Sequence, residues 1–321
     1  MTIRVYGKRT GESMWEEIAP VTRLDLIFDR YEPCDSLELE AAFAKPDRVY
    51  QEVFIHLDGR IIFEGKVDVQ SFLQTNQGMR RLLRCRGLSA GMADNQPKPG
   101  VYFKLTPQTV FQQFAEPYGV RGIRFSSDKE QNYLVVEKGM SCWDVVDLYC
   151  RQSYRRPLCV TRDGYLKDTA SEVQDVFWVS NLRSDGLRYS SLTFHRNRGE
   201  MLSRVYLKNS YETEDEDFSY STDNGVALLE NVRRERYLFP SERWYQNLSQ
   251  YGKETLSRSN IHSQTLEVVL PGIRDMEIGS VVKFPEAQGS EDLEFRAYYV
   301  HLHAGEDGTY TNIKACLQYF F

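Results

Sequence analysis

Alternation of apolar and polar residues marks much of the chain as half-buried β-strand. Leu37, Leu39 and Ala41 alternate with Glu38 and Glu40. A period of two puts the apolar set on one face and the acids on the other. Val21, Leu24, Leu26 and Phe28 interleave with Arg23, Asp25 and Ile27 in the same way. Val53, Ile55 and Leu57 run into Asp58-Gly59, and Ile61, Ile62 and Phe63 leave it, a hairpin pattern in which the turn pair tolerates positive φ. Ile3, Val5 and Tyr6 precede these runs; Gly65, Val67 and Val69, then Leu82, Leu83 and Cys85, follow them. Residues 1–88 thus hold six or seven short strands with little helix, the pattern of a small antiparallel barrel or sandwich.

The pattern changes after residue 88. Gly87–Gly100 is rich in Gly and Pro and poor in large apolar residues, and reads as a linker or boundary loop. Thr106 then caps a helix with Pro107 at its first position, where the missing N–H costs nothing; Val110, Phe111, Phe114 and Ala115 are its stripe. Ile123 and Phe125, and Tyr133 to Val136, suggest strands. Ser141 can cap a second helix whose Trp143, Val146, Tyr149 and Cys150 lie on one face, widened by Val145 and Leu148. Pro157 stops it. Leu158, Val160, Tyr165 and Leu166 then flank Asp163-Gly164, read as a two-residue type I′ turn. Residues 89–175 are expected to form a small α/β insert.

Strand patterns return from Val176: Phe177–Leu182, Leu187–Phe194, Ser203–Leu207, then Val226–Arg236 as a strand pair or irregular arm. Tyr211–Asp217 holds five acids and reads as a solvated loop. Pro240-Ser241 opens the longest helix, about 241–260, with Trp244, Leu248, Tyr251, Thr255 and Leu256 inward. Leu266 to Leu270, Val281 to Phe284, Phe295 to Leu302 and, past Asp307-Gly308, Tyr310 to Leu317 close the chain as strands. Residues 176–321 are expected to form a second barrel with one inserted helix. The fold class is α+β, mainly β: two antiparallel β-barrels separated by a small α/β insert.

Aromatic residues make up 13% of the 321, which suits pleated surfaces. The formal charge of −6 argues against a general nucleic-acid binder, which needs a basic footprint. The six cysteines form no Cys-x-x-Cys pair, so free thiols in a reducing compartment are expected. No apolar signal core opens the sequence and no apolar run is long enough to span a bilayer; a soluble chain is expected.

Little of the sequence carries chemistry. His301-x-His303 is the leading metal candidate, both rings on one strand face, with Cys316 on a neighbouring strand; a solvent-facing histidine pair is the commoner meaning, and no metal is assigned. Glu291, Asp292 and Glu294 could supply a glycosidase pair, but no pattern supports it. No nucleophile elbow, phosphate loop or dinucleotide fingerprint is present, so no catalytic or cofactor-binding residue is assigned and no enzyme is expected. Arg80-Arg81, Arg84, Arg86, Arg155-Arg156 and Arg233-Arg234-Glu235-Arg236 sit among apolar or acidic neighbours and suit subunit contacts better than a nucleic-acid stripe.

The order of parts resembles the baseplate hub proteins of contractile phage tails and related injection systems, the late-control-protein-D type of Mu-like phages. Four places carry the likeness. Arg84-Cys85-Arg86-Gly87-Leu88-Ser89 stands where the family has an Arg/Gly-rich strand end closing its first barrel, with Leu88-Ser89 where the family often has Asp. Thr106–Gly119 resembles a helix ending in Tyr-Gly. Gly139–Lys167 resembles a Gly-x-Ser, helix, Asp-Gly, Leu unit. Leu266–Phe284 with the Asp307-Gly308-Thr309 turn resembles the closing strands.

The resemblance implies two tail-tube-like barrels per chain and a homotrimeric ring of heterologous contacts, adapting a six-fold tail tube to a three-fold spike. It implies as partners the tail tube or a tube-initiator protein, the central spike and baseplate wedge proteins. DNA would pass through the channel without specific binding, and no membrane insertion is implied. The implied location is the baseplate of a virion tail or a headless injection particle, assembled in the bacterial host cytoplasm. The alternatives are a receptor- or carbohydrate-binding tail component, for which Trp15, Trp143, Trp178 and Trp244 are the platforms to examine and Trp143 and Trp244 read as buried, and a cell-wall hydrolase.

Overall fold

A computed structural model of the chain describes residues 2–43, 49–76, 78–168, 175–208, 218, 220–285 and 293–317. The acidic run Tyr211–Asp217 and the carboxylates Glu291 and Asp292 lie outside the described residues.

Strands β1 (Ile3–Arg9), β2 (Trp15–Glu17), β3 (Val21–Asp29), β4 (Ser36–Ala42), β5 (Tyr50–Leu57), β6 (Arg60–Thr75) and β7 (Gly78–Gly87) follow one another with no helix between them among the described residues. The alternation is realised in β3 and β4: Leu24, Leu26, Phe28, Leu37, Leu39 and Ala41 are buried, while Arg23, Asp25, Glu38 and Glu40 line the other face. Asp58 and Gly59 both take positive φ (48° and 86°), the type I′ turn that matches the twist of its strands.

The chain then leaves the sheet. Helix α1 (Ala90–Asp94) occupies the stretch expected to be a linker. Ala90 and Met92 are both buried, Met92 in the insert's core, and this anchoring outweighs the local Gly/Pro content. Strand β8 (Gly100–Leu105) precedes α2 (Pro107–Phe114), where the Thr106 hydroxyl accepts from Thr109 N and Thr109 reciprocates. After β9 (Gly122–Ile123) and β10 (Gln131–Val136), α3 (Cys142–Tyr154) starts at the equivalent box of Ser141 and Asp144. Strands β11 (Cys159–Val160) and β12 (Tyr165–Lys167) form the expected hairpin, but its turn differs. Gly164 alone takes positive φ (79°), and Gly164 N donates to Thr161 O at 2.8 Å. The Asp163 carboxylate accepts from Thr161 Oγ1 and Arg124. Val110, Phe114, Leu134, Val145, Val146 and Tyr149 form a core of their own, joined by Trp244 from the last region.

The returning chain gives β13 (Val176–Trp178), β14 (Ser191–Arg196), β15 (Arg204–Leu207), β16 (Tyr220–Asp223), α4 (Gly225–Leu229), β17 (Glu235–Leu238), α5 (Leu248–Ile261), β18 (Gln264–Pro271), β19 (Val281–Lys283), β20 (Phe295–Gly305) and β21 (Gly308–Leu317). The expected strand at 187–194 is shifted toward the C-terminus. The expected arm at 226–236 begins as helix α4, because Asn224 caps it through Ala227 N and Ala227 is buried. A 3₁₀ turn, Glu242–Asn247, precedes α5 in the helix expected at 241–260.

The first and last regions do not hold separate sheets. β20 pairs antiparallel with β3, His303 opposite Asp25 and Leu302 opposite Leu26. One thirteen-strand sheet therefore runs β14-β18-β21-β20-β3-β4-β7-β6-β5-β1-β2, with β19 on β20 and β13 on β19. Among the described residues this ladder does not close on itself. A single core of Leu24, Leu39, Ile55, Leu83, Val268, Val300 and Ile313, among others, spans both regions. Leu26 and Leu302, both fully buried, face each other across the join, and that apolar pairing gives β3 a partner instead of a free edge.

Candidate functional site

The polar face of the joined sheet gathers the titratable residues. Period two places His301 and His303 on the same side of β20, and the β3 register sets Asp25 opposite His303, within reach of both rings. Asp25 Oδ1 accepts from His301 Nε2 at 2.8 Å and from His303 Nδ1 at 2.7 Å. His303 Nε2 donates to Asp307 Oδ1 at 2.7 Å. Both partners of His303 are carboxylates, so this geometry favours the protonated ring, in which both nitrogens donate. Arg23 Nε donates to the other oxygen of Asp25 at 2.7 Å. Tyr310 stacks on His303 with centroids 4.5 Å apart.

Charge follows from these contacts. Burial alone would lower the pKa of His303, only 5% exposed, but Asp25 and Asp307 hold it above the ordinary histidine value. Burial pushes Asp25 up, yet the histidines and Arg23 together hold it below the usual carboxylate range. His303 holds Asp307 low.

The same face continues across β4, β7 and β6 as paired charges. Arg80 meets Glu40 at 3.6 Å, Arg84 meets Glu38 at 3.7 Å, and Arg86 donates to Asp68 at 2.6 Å and Asp94 at 2.7 Å. A concavity of about 510 Å³ opens there, lined by Arg23, Asp25, Glu38, Arg84, Arg86 and His301. Arg81 points the other way, 3% exposed, its guanidinium over the rings of Phe43, Tyr50 and Phe72. Arg234 donates to Met201 O at 2.9 Å, and Arg155 and Arg156 line a second concavity of about 620 Å³.

That second concavity lies where the insert meets α5 and the β3–β4 loop, with Arg30, Trp143, Asp147, Glu254 and His262 in its wall. Arg151 links α3 to α5, donating to Asp147 at 2.6 Å and Glu254 at 2.7 Å. Arg162 is one of the side chains that tie the insert to the β regions, beside the Arg86–Asp94 and Arg121–Glu64 pairs. It donates to Asp275 at 2.6 Å and to Met276 O, with its guanidinium 4.6 Å from the Phe28 ring centroid. Arg60 binds the same Asp275.

The structure keeps the sequence's histidine pair and removes its third member. Cys316 is buried in the core, opposite Arg296 in the β20–β21 register, whereas His301 and His303 face Asn312 and Tyr310. Glu294 pairs with Lys283 at 2.8 Å. Trp143 is half-exposed in the concavity wall rather than buried, Trp244 is buried as expected, and Trp178 lies between Arg183 and Lys283. Asp25 and Arg162 escaped notice in the sequence. Asp25 is placed by a strand 276 residues away, and its only local signal is its polar position between Leu24 and Leu26. No helix among the described residues is long and apolar enough to cross a membrane.

No protein-family model and no curated protein matches the chain. Solved structures do. The chain is similar over its whole length to a tail protein from Neisseria meningitidis MC58, at 15% identity and a TM-score of 0.77, covering 98% of that chain. It is similar to the 43 kDa tail protein of prophage MuSo2 from Shewanella oneidensis, at 13% identity and a TM-score of 0.78, with 98% of each chain covered. A component of the E. coli type VI secretion system, described as structurally similar to T4 bacteriophage tail proteins gp27 and gp5, matches 99% of this chain and 77% of its own at 12% identity and a TM-score of 0.59. The fold is thus that of phage and prophage tail proteins. It is shared, more distantly, with a secretion-system component.

Proposed function

We propose that this chain is the baseplate hub of a contractile tail or related injection device. Three copies would form a ring that adapts a six-fold tail tube to a three-fold spike. In this reading residues 1–88 and 176–321 act as two tube-like β units, residues 89–175 are an insert on their outer side, and neighbouring copies complete the ring that one chain leaves open. The chain works as a structural part and carries no catalysis. The observation that carries the reading is the likeness to tail proteins along the full chain, so that both β regions and the insert are shared.

Two features support it. Among the described residues, edge strand β14 pairs with β18 alone and exposes Phe194, the kind of edge that a heterologous contact covers. The polar sheet face pairs its arginines with acids, so a channel wall built from it would offer little to retain a phosphate backbone, whose binding depends on clustered cations. Light scattering on the purified chain, alone and with its spike and tube partners, tests the proposal. A trimer in either setting is expected; a monomer at high concentration with both partners present overturns it.

A further inference from the structure

The geometry points to a divalent transition-metal site at Asp25, His301 and His303, of the class that binds Zn²⁺. Asp25 Oδ1, His301 Nε2 and His303 Nδ1 lie within 4.8 Å of one another. The two histidine–carboxylate distances are 2.8 and 2.7 Å. A tetrahedral ion with bonds of about 2.0–2.2 Å to nitrogen and oxygen needs its ligands roughly 3.4 Å apart. The two histidine–carboxylate gaps therefore have to open by about 0.6–0.7 Å, and the gap between the two ring nitrogens, at most 4.8 Å, has to close by up to about 1.4 Å, shifts that rotations of the three side chains supply. A bound ion would take the place of the hydrogens the three groups now share.

The surroundings are those of a built site. The second nitrogen of His303 already donates to Asp307, the carboxylate–histidine arrangement that orients imidazole ligands and fixes their tautomer. Arg23 holds the other oxygen of Asp25, leaving Oδ1 aimed at the rings. Tyr310 stacks on His303 and meets His301 edge-on. Three protein ligands leave a fourth position free, and Asp25 and His301 border the 510 Å³ concavity from which water or a group of another molecule could fill it. The ligands come from strands 276 residues apart in sequence, so the ion would clamp the join between the two β regions.

The test uses the untagged full chain, stripped with a chelator, and Zn²⁺ alone as probe. Isothermal titration and thermal melting are followed at neutral pH in the wild type and in H301A, H303A, D307N and, as a distant control, H195A. One ion per chain is expected, with a rise in Tm. Binding should be lost in H301A and H303A, weakened by about tenfold or more in D307N and unchanged in H195A. Asp307 is largely exposed, so D307N should keep the fold even if a ligand variant does not. Co²⁺ in place of Zn²⁺ should give the visible absorption of a tetrahedral centre. Absence of binding at tens of micromolar ion, or binding that survives both histidine substitutions, overturns the proposal and leaves an ion-paired histidine cluster.

Discussion

Arg162→Met should weaken the attachment of the insert while leaving both cores intact. The guanidinium and the Asp275 carboxylate are 13% and 16% exposed and 2.6 Å apart. Removing one partner of a buried pair costs about 3–5 kcal/mol. Arg60 also holds Asp275 and spares it full isolation, which pulls the figure toward the lower end. The lost approach to Phe28 adds roughly 1 kcal/mol, and methionine keeps much of the apolar stem's packing. The expected loss is about 3 kcal/mol, read from urea unfolding. A double-mutant cycle with Asp275→Asn isolates the pair, and a coupling of at least about 1 kcal/mol is expected. A loss under about 1 kcal/mol, or strict additivity, would refute the idea that this ion pair docks the insert.

Three further outcomes are expected. Gly65→Ala would put a Cβ 2.4 Å from the Arg86 carbonyl oxygen and 2.6 Å from the Phe63 ring; a loss of about 2 kcal/mol or more in denaturant unfolding is expected. Ser141→Ala removes the acceptor for Asp144 N and should cost about 1 kcal/mol in the same measurement, with Ser141→Asp restoring most of it. Burial pushes the Asp35 carboxyl up to about 7, so the folded chain holds this proton more tightly than the unfolded one. Its contribution therefore falls as pH rises from about 4 to about 7 and is level above; stability curves of wild type and Asp35→Asn should diverge across that window and run parallel beyond it.

Strand alternation was legible wherever one face is buried and the other charged, as at Leu37–Ala41, because a period of two is written in the residues themselves. Both helix starts, Thr106-Pro107 and Ser141, were legible for the same local reason. The joining of the two regions was not: the β3–β20 register depends on apolar residues meeting across nearly the whole chain, and Leu26 carries no mark of its partner. The short helix inside Gly87–Gly100 was not legible, because Ala90 and Met92 are held by tertiary burial, against local composition. At the histidine pair, period two gave the shared face, but not Asp25, and it promoted Cys316, which the core claims.

The pairing of β3 with β20 also sets an order of events during synthesis. At about 5–20 residues per second, the 276 residues between Asp25 and His301 take on the order of tens of seconds to emerge. Through that interval the first strands exist with one edge of β3 uncovered, while the insert, whose core is mostly local apart from Trp244 and Tyr251, can already be compact. A nascent chain is thus an open-edged sheet beside a finished insert, exposed to the wrong neighbour. Closing the seam is reserved for the β20–β21 hairpin, so the edge of β3 stays open until that hairpin has emerged.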